Sequence, residues 1–376
     1  MLCKEDTKKL KGIAILLMLA HHLYTFADRI PYEMHIATSI HISGQELTVI
    51  IGLFGKICVS LYMFLGGYGL YASCIFCNHQ GQLQIKNSLY RKIINLYTAY
   101  WKIFLIYIPI GYLLFSNQPQ FCNTVTQHTR FAAFSLHKII SDFFAITNLF
   151  NSEWWFLRTY LFVLFEGFVF IELLKNKKNI HLECCFIILW NILITQIFPS
   201  FTSIPFLEEL DSNIWYKNLF LINEYASLFF IGIIFAKYKI FMSWNQLFDS
   251  CKRFEKIILS LFVIISCVYV RVFIMPVSFD LLLVPIFIFA CHIFVEETIF
   301  LNKLLLILGR HSTNIWLTHS FYCYYFYFFV RIVYGSRNAV ISMIVLISLS
   351  LGSSILINLL WQKIGLFYNH IISHTP

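Results

Sequence analysis

Lys11-Gly-Ile-Ala-Ile-Leu-Leu-Met-Leu-Ala-His21-His22 opens on a charge and closes on two titratable rings, with an apolar run between. Helical spacing puts Lys11, Ile15, Met18 and His22 on one face and turns His21 away by about 100°. Lys11 to His22 rises roughly 16 Å on an α-helix, so with Lys11 at a membrane surface His22 lies near the middle of a hydrocarbon layer about 30 Å thick. An ionisable ring at that depth is costly and points to a functional site. The plainer alternative is a neutral histidine hydrogen-bonded to a neighbouring helix.

Composition supports the membrane reading. Of 376 residues, 59% are hydrophobic and 12% charged, against about 25% charged in a soluble domain, and the mean hydropathy is +0.72. The chain reads as one domain, 1–376, an all-α polytopic membrane helical bundle in contact with lipid. Phe (40) and Tyr (21) are abundant, which suits lipid-facing surface and interfacial belts. No Lys/Arg run interleaved with aromatics suggests nucleic acid, despite the net charge of +9. Eleven cysteines lie mostly within apolar runs. The lone Cys74-x-x-Cys77 has no second pair or histidine at zinc spacing, so it reads as small apolar filler and no metal is expected. The first apolar run is flanked by Lys4, Lys8, Lys9 and Lys11, is interrupted by the two histidines and is followed by no small-x-small cleavage site. It is therefore expected to be a membrane helix and not a signal peptide.

About ten spans are expected, at roughly 10–27, 48–77, 96–116, 154–174, 182–200, 219–237, 256–275, 278–297, 313–333 and 338–360. With the N-terminus inside, Lys86, Arg91, Lys92, Lys175, Lys177, Lys178, Lys237, Lys239, Lys252, Arg253 and Lys256 fall on the cytoplasmic side. The outer loops then hold Asp28, Glu33, Glu46, Asp142, Glu208, Glu209 and Asp211. That asymmetry places both termini in the cytoplasm, with Arg331 and Arg337 as exceptions in the last outer turn.

Several spans carry polar or small residues. Gly66, Gly67 and Gly69 allow close helix approach. Lys56 lies a few residues below the outer surface, where snorkelling is its plain role. Segment 117–153 is a long outer connection with room for a re-entrant or interfacial helix. The Trp154-Trp155 pair has the look of an interfacial anchor, followed by Arg158 and Glu166 inside the span. Glu224, Arg271, Asp280 and His292 fall near span ends, where an interfacial position suits them. In the ninth span Ser312 or Thr313 can cap a helix, and His319, about 12 Å along from His311, reaches a depth similar to His22.

At these residues the chain resembles the membrane-bound acyltransferase family 3, which includes bacterial polysaccharide O-acetyltransferases. That family has an Arg, ten residues and then a His in its first span; here Lys11 stands for the Arg and His22 is in register. Val59-Ser60-Leu61-Tyr62-Met63-Phe64-Leu65-Gly66-Gly67-Tyr68 resembles its second-span element, with Gly66 where Ser is usual. Arg91-Lys92 resembles its basic entry to the third span, and Trp155-Phe156-Leu157 its W-[FY]-L element. Ser312 to His319 resembles its late S-x-x-x-Y-L-x-H element, with Trp316 for Tyr. The matches run from residue 11 to about 320 in the family's order. Lys at position 11 is a point charge without the guanidinium fork.

The resemblance implies transfer of an acyl group, usually acetyl, from cytoplasmic acyl-CoA (acetyl-CoA) to a hydroxyl of a saccharide or lipid-linked glycan, in a bacterial inner or plasma membrane. Such a reaction needs a base for the hydroxyl proton. His22 is the candidate base, with His319 as the second catalytic histidine. Lys11, Arg91, Lys92 and His311 are candidates for the CoA phosphates, and Lys56, Trp155 and Arg158 for the acceptor. The alternative is a transporter or flippase for a small solute or lipid-linked sugar, with Lys56, Lys102, Glu166 and His319 along the path.

Overall fold

The computed structural model describes residues 2–36, 38–76, 85–121, 129–175, 179–197, 214–274 and 279–374. Cys77, Lys177, Lys178, Glu208, Glu209 and Asp211 lie outside them. The described chain is almost wholly helical. Helices run α1 Lys4–Tyr24, α2 Leu47–Gly55, α3 Ile57–Phe76, α4 Ile85–Leu114, α5 Leu136–Phe143, α6 Trp155–Leu174, α7 Ile180–Ile192 and α8 Ile214–Lys237. They continue as α9 Ile240–Gln246, α10 Arg253–Tyr269, α11 Asp280–Glu297, α12 Ile299–Ser320, α13 Tyr327–Tyr334 and α14 Ala339–His374. A small antiparallel hairpin pairs β1 (His41–Ile42) with β2 (Gln45–Glu46) just before α2.

Among the described residues the expected spans fall on helical chain, but two of them are divided: 48–77 covers α2 and α3 with a break at Lys56, and 313–333 covers the end of α12, a turn and α13. Five stretches among the described residues are long and apolar enough to cross a membrane: Leu47–Cys74, Lys86–Leu114, Phe220–Lys237, Arg253–Ile274 and Ala339–Leu366. The others are shorter or carry charge within them. α1 begins Lys4-Glu-Asp-Thr-Lys-Lys, α6 contains Arg158, Glu166 and Glu172, and α11 contains Asp280, Glu296 and Glu297. A wide turn at Phe321–Tyr325 separates α12 from α13. Segment 117–153 does hold a short helix, α5, started by Ser135, whose side chain accepts from the Lys138 amide.

The chain forms two compact units, Met1–Ala14 with Lys56–Ile93 and Phe156–Gly309, and Ile15–Gly55 with Ile94–Trp155 and Arg310–Pro376. In the first, α8 packs along α3. A Cβ on Gly67 would sit 1.9 Å from the Phe229 carbonyl oxygen, and one on Gly232 would sit 2.2 Å from that of Phe64, so these two helices touch backbone to backbone. Small residues at such crossings substitute for the hydrophobic drive that lipid removes. Gly69 departs from the expectation: it meets only the Lys92 ammonium, at 3.7 Å, and no helix crosses there. Arg271 and Asp280 are buried among other helices. The guanidinium grips the carboxylate at 2.8 and 3.1 Å, and the Ser60 hydroxyl donates to Asp280 at 2.6 Å. Near the other end of this unit Lys237 donates to Glu183 at 2.7 Å and to the Leu174 carbonyl.

In the second unit the turn after α12 packs against α13 and α14. Asp142, fully buried, collects the Leu149 and Phe150 amides at 3.0 and 2.7 Å and the Thr147 hydroxyl. One carboxylate thus folds the residues after α5 back on themselves. Lys138 beside this loop is held below the ordinary lysine range, first by burial and then by Arg130.

Candidate active site

α1 delivers the two histidines, and their neighbours in the second unit give them different jobs. α2 lies against α1 at closest range here: a Cβ on Gly55 would meet the Leu17 carbonyl oxygen at 2.4 Å and the His21 amide at 3.0 Å. That approach brings the Gly52 carbonyl to within 2.8 Å of His21 Nδ1, which donates to it. His21 is thereby bonded to a neighbouring helix, as its turned-away position on α1 suggests.

His22 faces the other way. Its ring lies 4.7 Å from that of His319, centroid to centroid, with 51° between the planes. Phe26 stacks on it at 5.6 Å, and Tyr324 stands edge-on at 6.0 Å. The Tyr324 hydroxyl donates to the His22 carbonyl and lies 3.5 Å from its Nδ1. His22 is partly exposed, whereas His319 has no exposed surface. His319 Nδ1 donates to the Trp316 carbonyl at 2.7 Å, and its Nε2, buried, has no hydrogen-bond partner among the described residues. A ring that spends its proton on a carbonyl through Nδ1 keeps a bare lone pair at Nε2.

The segment before α6 is bolted to α12, the helix that carries His319. Asn151 donates to the Ser320 hydroxyl at 2.7 Å, and Trp154 Nε1 donates to the Leu317 carbonyl at 3.0 Å. Glu153, 5% exposed, takes Arg29 at 2.8 Å on one oxygen and the Tyr325 hydroxyl on the other. Arg29 also lies over the Phe26 and Tyr324 rings. Arg130 covers the Tyr325 ring at 4.2 Å and donates to Ser152 at 2.7 Å. Trp154 is therefore core, not an interfacial anchor, and packs on Tyr100 and Phe321. Trp155 is partly exposed.

Of the other candidates, Lys11 and Lys92 come together in the first unit. Both are partly exposed, each feels the other's charge, and neither makes an ion pair among the described residues. The Lys11 carbonyl receives the Tyr62 hydroxyl at 3.3 Å. Arg91 is exposed on the same helix as Lys92. Lys56 is exposed in the break between α2 and α3, and Arg158 is partly exposed on α6. His311 belongs to the second unit, where its Nδ1 lies 2.8 Å from the Ser354 hydroxyl. It does not share a unit with Lys11, Arg91 and Lys92.

A family model described as an acyltransferase domain matches residues 9–359, nearly the whole chain, including every residue named above. The chain belongs to the acyltransferase 3 family. Membership supports acyltransferase activity in general terms. The chain matches no curated protein and no solved structure. Within this acyltransferase 3 chain, Arg29, Glu153, Tyr324 and Tyr325 are residues that sequence spacing did not single out. Glu153 carried the only available signal, an acidic residue directly before a tryptophan pair at the start of an apolar helix.

Proposed function

We propose that the protein is a multi-pass membrane O-acyltransferase with both termini cytoplasmic. It moves an acyl group, acetyl in the simplest case, from cytoplasmic acyl-CoA to a hydroxyl of a cell-surface or lipid-linked saccharide. The observation that carries this reading is the histidine pair: a partly exposed His22 against a fully buried His319 whose Nε2 lone pair is bare.

The division of labour follows from exposure. His22 can reach a substrate and takes the hydroxyl proton as the oxygen attacks the thioester carbonyl. His319 can reach only its neighbours, so its Nε2 orients His22 and stabilises the imidazolium. As the tetrahedral intermediate collapses, the C–S bond breaks and the proton held on His22 passes to the departing CoA sulfur, so acyl-CoA and alcohol give ester and free thiol. Lys11 and Lys92, two ammonium groups without a counter-ion among the described residues, suit the CoA phosphates, with Arg91 at the rim. Trp155 suits the face of an acceptor sugar.

The experiment is acyl transfer by the purified protein with radiolabelled acetyl-CoA and candidate saccharide acceptors, following both ester formation and thiol release. Acceptor-dependent thiol release supports the proposal. Solute uptake into proteoliposomes with no CoA dependence and no thiol release would replace it with the transporter reading.

A further inference from the structure

A second polar cluster lies in the first unit, where the first turn of α1 meets the last turn of α11, and neither acyl transfer nor helix packing accounts for it. His292 is only 7% exposed. Its Nε2 lies 3.6 Å from a carboxylate oxygen of Glu296, one helical turn on, too long for a hydrogen bond. No shorter polar contact to the ring occurs among the described residues. Asp6 approaches from α1, and one donor atom from each of Asp6, His292 and Glu296 lies within 4.8 Å of the other two. Asp6 spends Oδ2 on the Cys3 amide, at 2.8 Å, which leaves Oδ1 free of that bond. Lys9, whose charge also reaches His292, is drawn to Glu5 at 3.7 Å. The arrangement is a buried imidazole without a hydrogen bond, facing two carboxylates from different helices that repel each other unless a cation lies between them.

We propose that Asp6, His292 and Glu296 bind a first-row divalent cation, with zinc as the reference ion, and that this ion ties the start of α1 to the end of α11. One imidazole nitrogen with two carboxylate oxygens is a mixed donor set that suits zinc and its neighbours, whereas magnesium and calcium favour oxygen throughout. A histidine and a glutamate four residues apart present both donors on one side of a helix, the spacing used when a helix supplies two metal ligands. Donors around a tetrahedral zinc lie roughly 3.4 Å apart, so the cluster closes by a rotamer change of Asp6 and Glu296; Glu296, with 49% of its side chain exposed, is free to make one. A water completes the shell. This site departs from the sequence expectation of no metal and is separate from the chemistry proposed at His22.

The test uses the full chain in detergent, stripped with a chelator and titrated with zinc by calorimetry, with the unfolding temperature followed in parallel. One tight equivalent and a raised unfolding temperature are expected, with neither reproduced by magnesium. Glu296→Gln, at a half-exposed position that disturbs no packing, should weaken that equivalent tenfold or more and abolish the temperature rise. His292→Ala and Asp6→Asn should do the same. Because eleven cysteines offer competing ligands, cobalt substitution supplies a second readout: absorption without a thiolate charge-transfer band supports the site. Zinc affinity unchanged in Glu296→Gln, no stoichiometric zinc, or a thiolate band from the bound cobalt would each overturn it.

Discussion

Glu153→Ala should be the most damaging single truncation around the segment that precedes α6. The carboxylate is 5% exposed and joined to Arg29 at 2.8 Å, while the Arg29 side chain keeps 25% of its surface in solvent. A fully buried pair broken on one side costs about 3–5 kcal/mol, and an exposed pair contributes roughly 0–1 kcal/mol. The quarter exposure of Arg29 places this one between those limits, and the Tyr325 hydroxyl loses its acceptor as well. We therefore expect Glu153→Ala to lower stability by about 2–3 kcal/mol and Glu153→Gln, which keeps shape and an acceptor, by about 1 kcal/mol. The assay is denaturant unfolding in mixed micelles, run as a double-mutant cycle with Arg29→Ala. The coupling energy should be about 1–2 kcal/mol. Because the same segment holds α12 through Asn151 and Trp154, Glu153→Gln should also slow acyl transfer. Unchanged stability in Glu153→Ala, or a coupling indistinguishable from zero, would refute the reasoning.

Three further outcomes are expected. Lys92→Ala and Lys11→Ala should each weaken acyl-CoA binding, with a loss that shrinks at high salt, where screening already weakens the parent protein; unchanged donor affinity in both variants contradicts the assignment. Gly55→Ala should cost about 1–3 kcal/mol of stability, because its methyl would meet the Leu17 carbonyl oxygen at 2.4 Å, and a neutral result would mean α2 does not lie against α1 as described. Reporter fusions after Lys178 and after Ser212 should report inside and outside respectively, and the same side for both would overturn the threading derived from loop charge.

The helical chain was legible because a lipid-spanning helix announces itself by length and apolar content, though the breaks at Lys56 and at Phe321–Tyr325 were not foreseen. The different surroundings of His21 and His22 were legible for a similar reason: a 100° turn on one helix sends one ring to Gly52 and the other to His319. What periodicity cannot show is which distant residue closes a polar contact. Arg29 and Glu153 are 124 positions apart, and Ser60 and Asp280 are 220 apart. The burial of Arg271, Asp280 and Trp154 was not legible, because position near a span end does not say whether another helix covers the side chain. Asp6 was not connected with His292 for the same reason, since only two of that cluster's three residues, His292 and Glu296, share a helix.

The account rests on His22 as the proton acceptor, and one measurement addresses it most directly. Purified His22→Ala, His21→Ala and His319→Ala proteins are compared with the parent for acetyl transfer at matched, folded concentration, with acetyl-CoA binding measured alongside. General-base catalysis contributes about 10²–10⁴ in rate. His22→Ala should therefore lose at least a hundredfold in turnover while still binding donor, His319→Ala should fall substantially but less, and His21→Ala should retain most activity. Near-parental turnover in His22→Ala, with the protein folded and the donor bound, would place the base elsewhere.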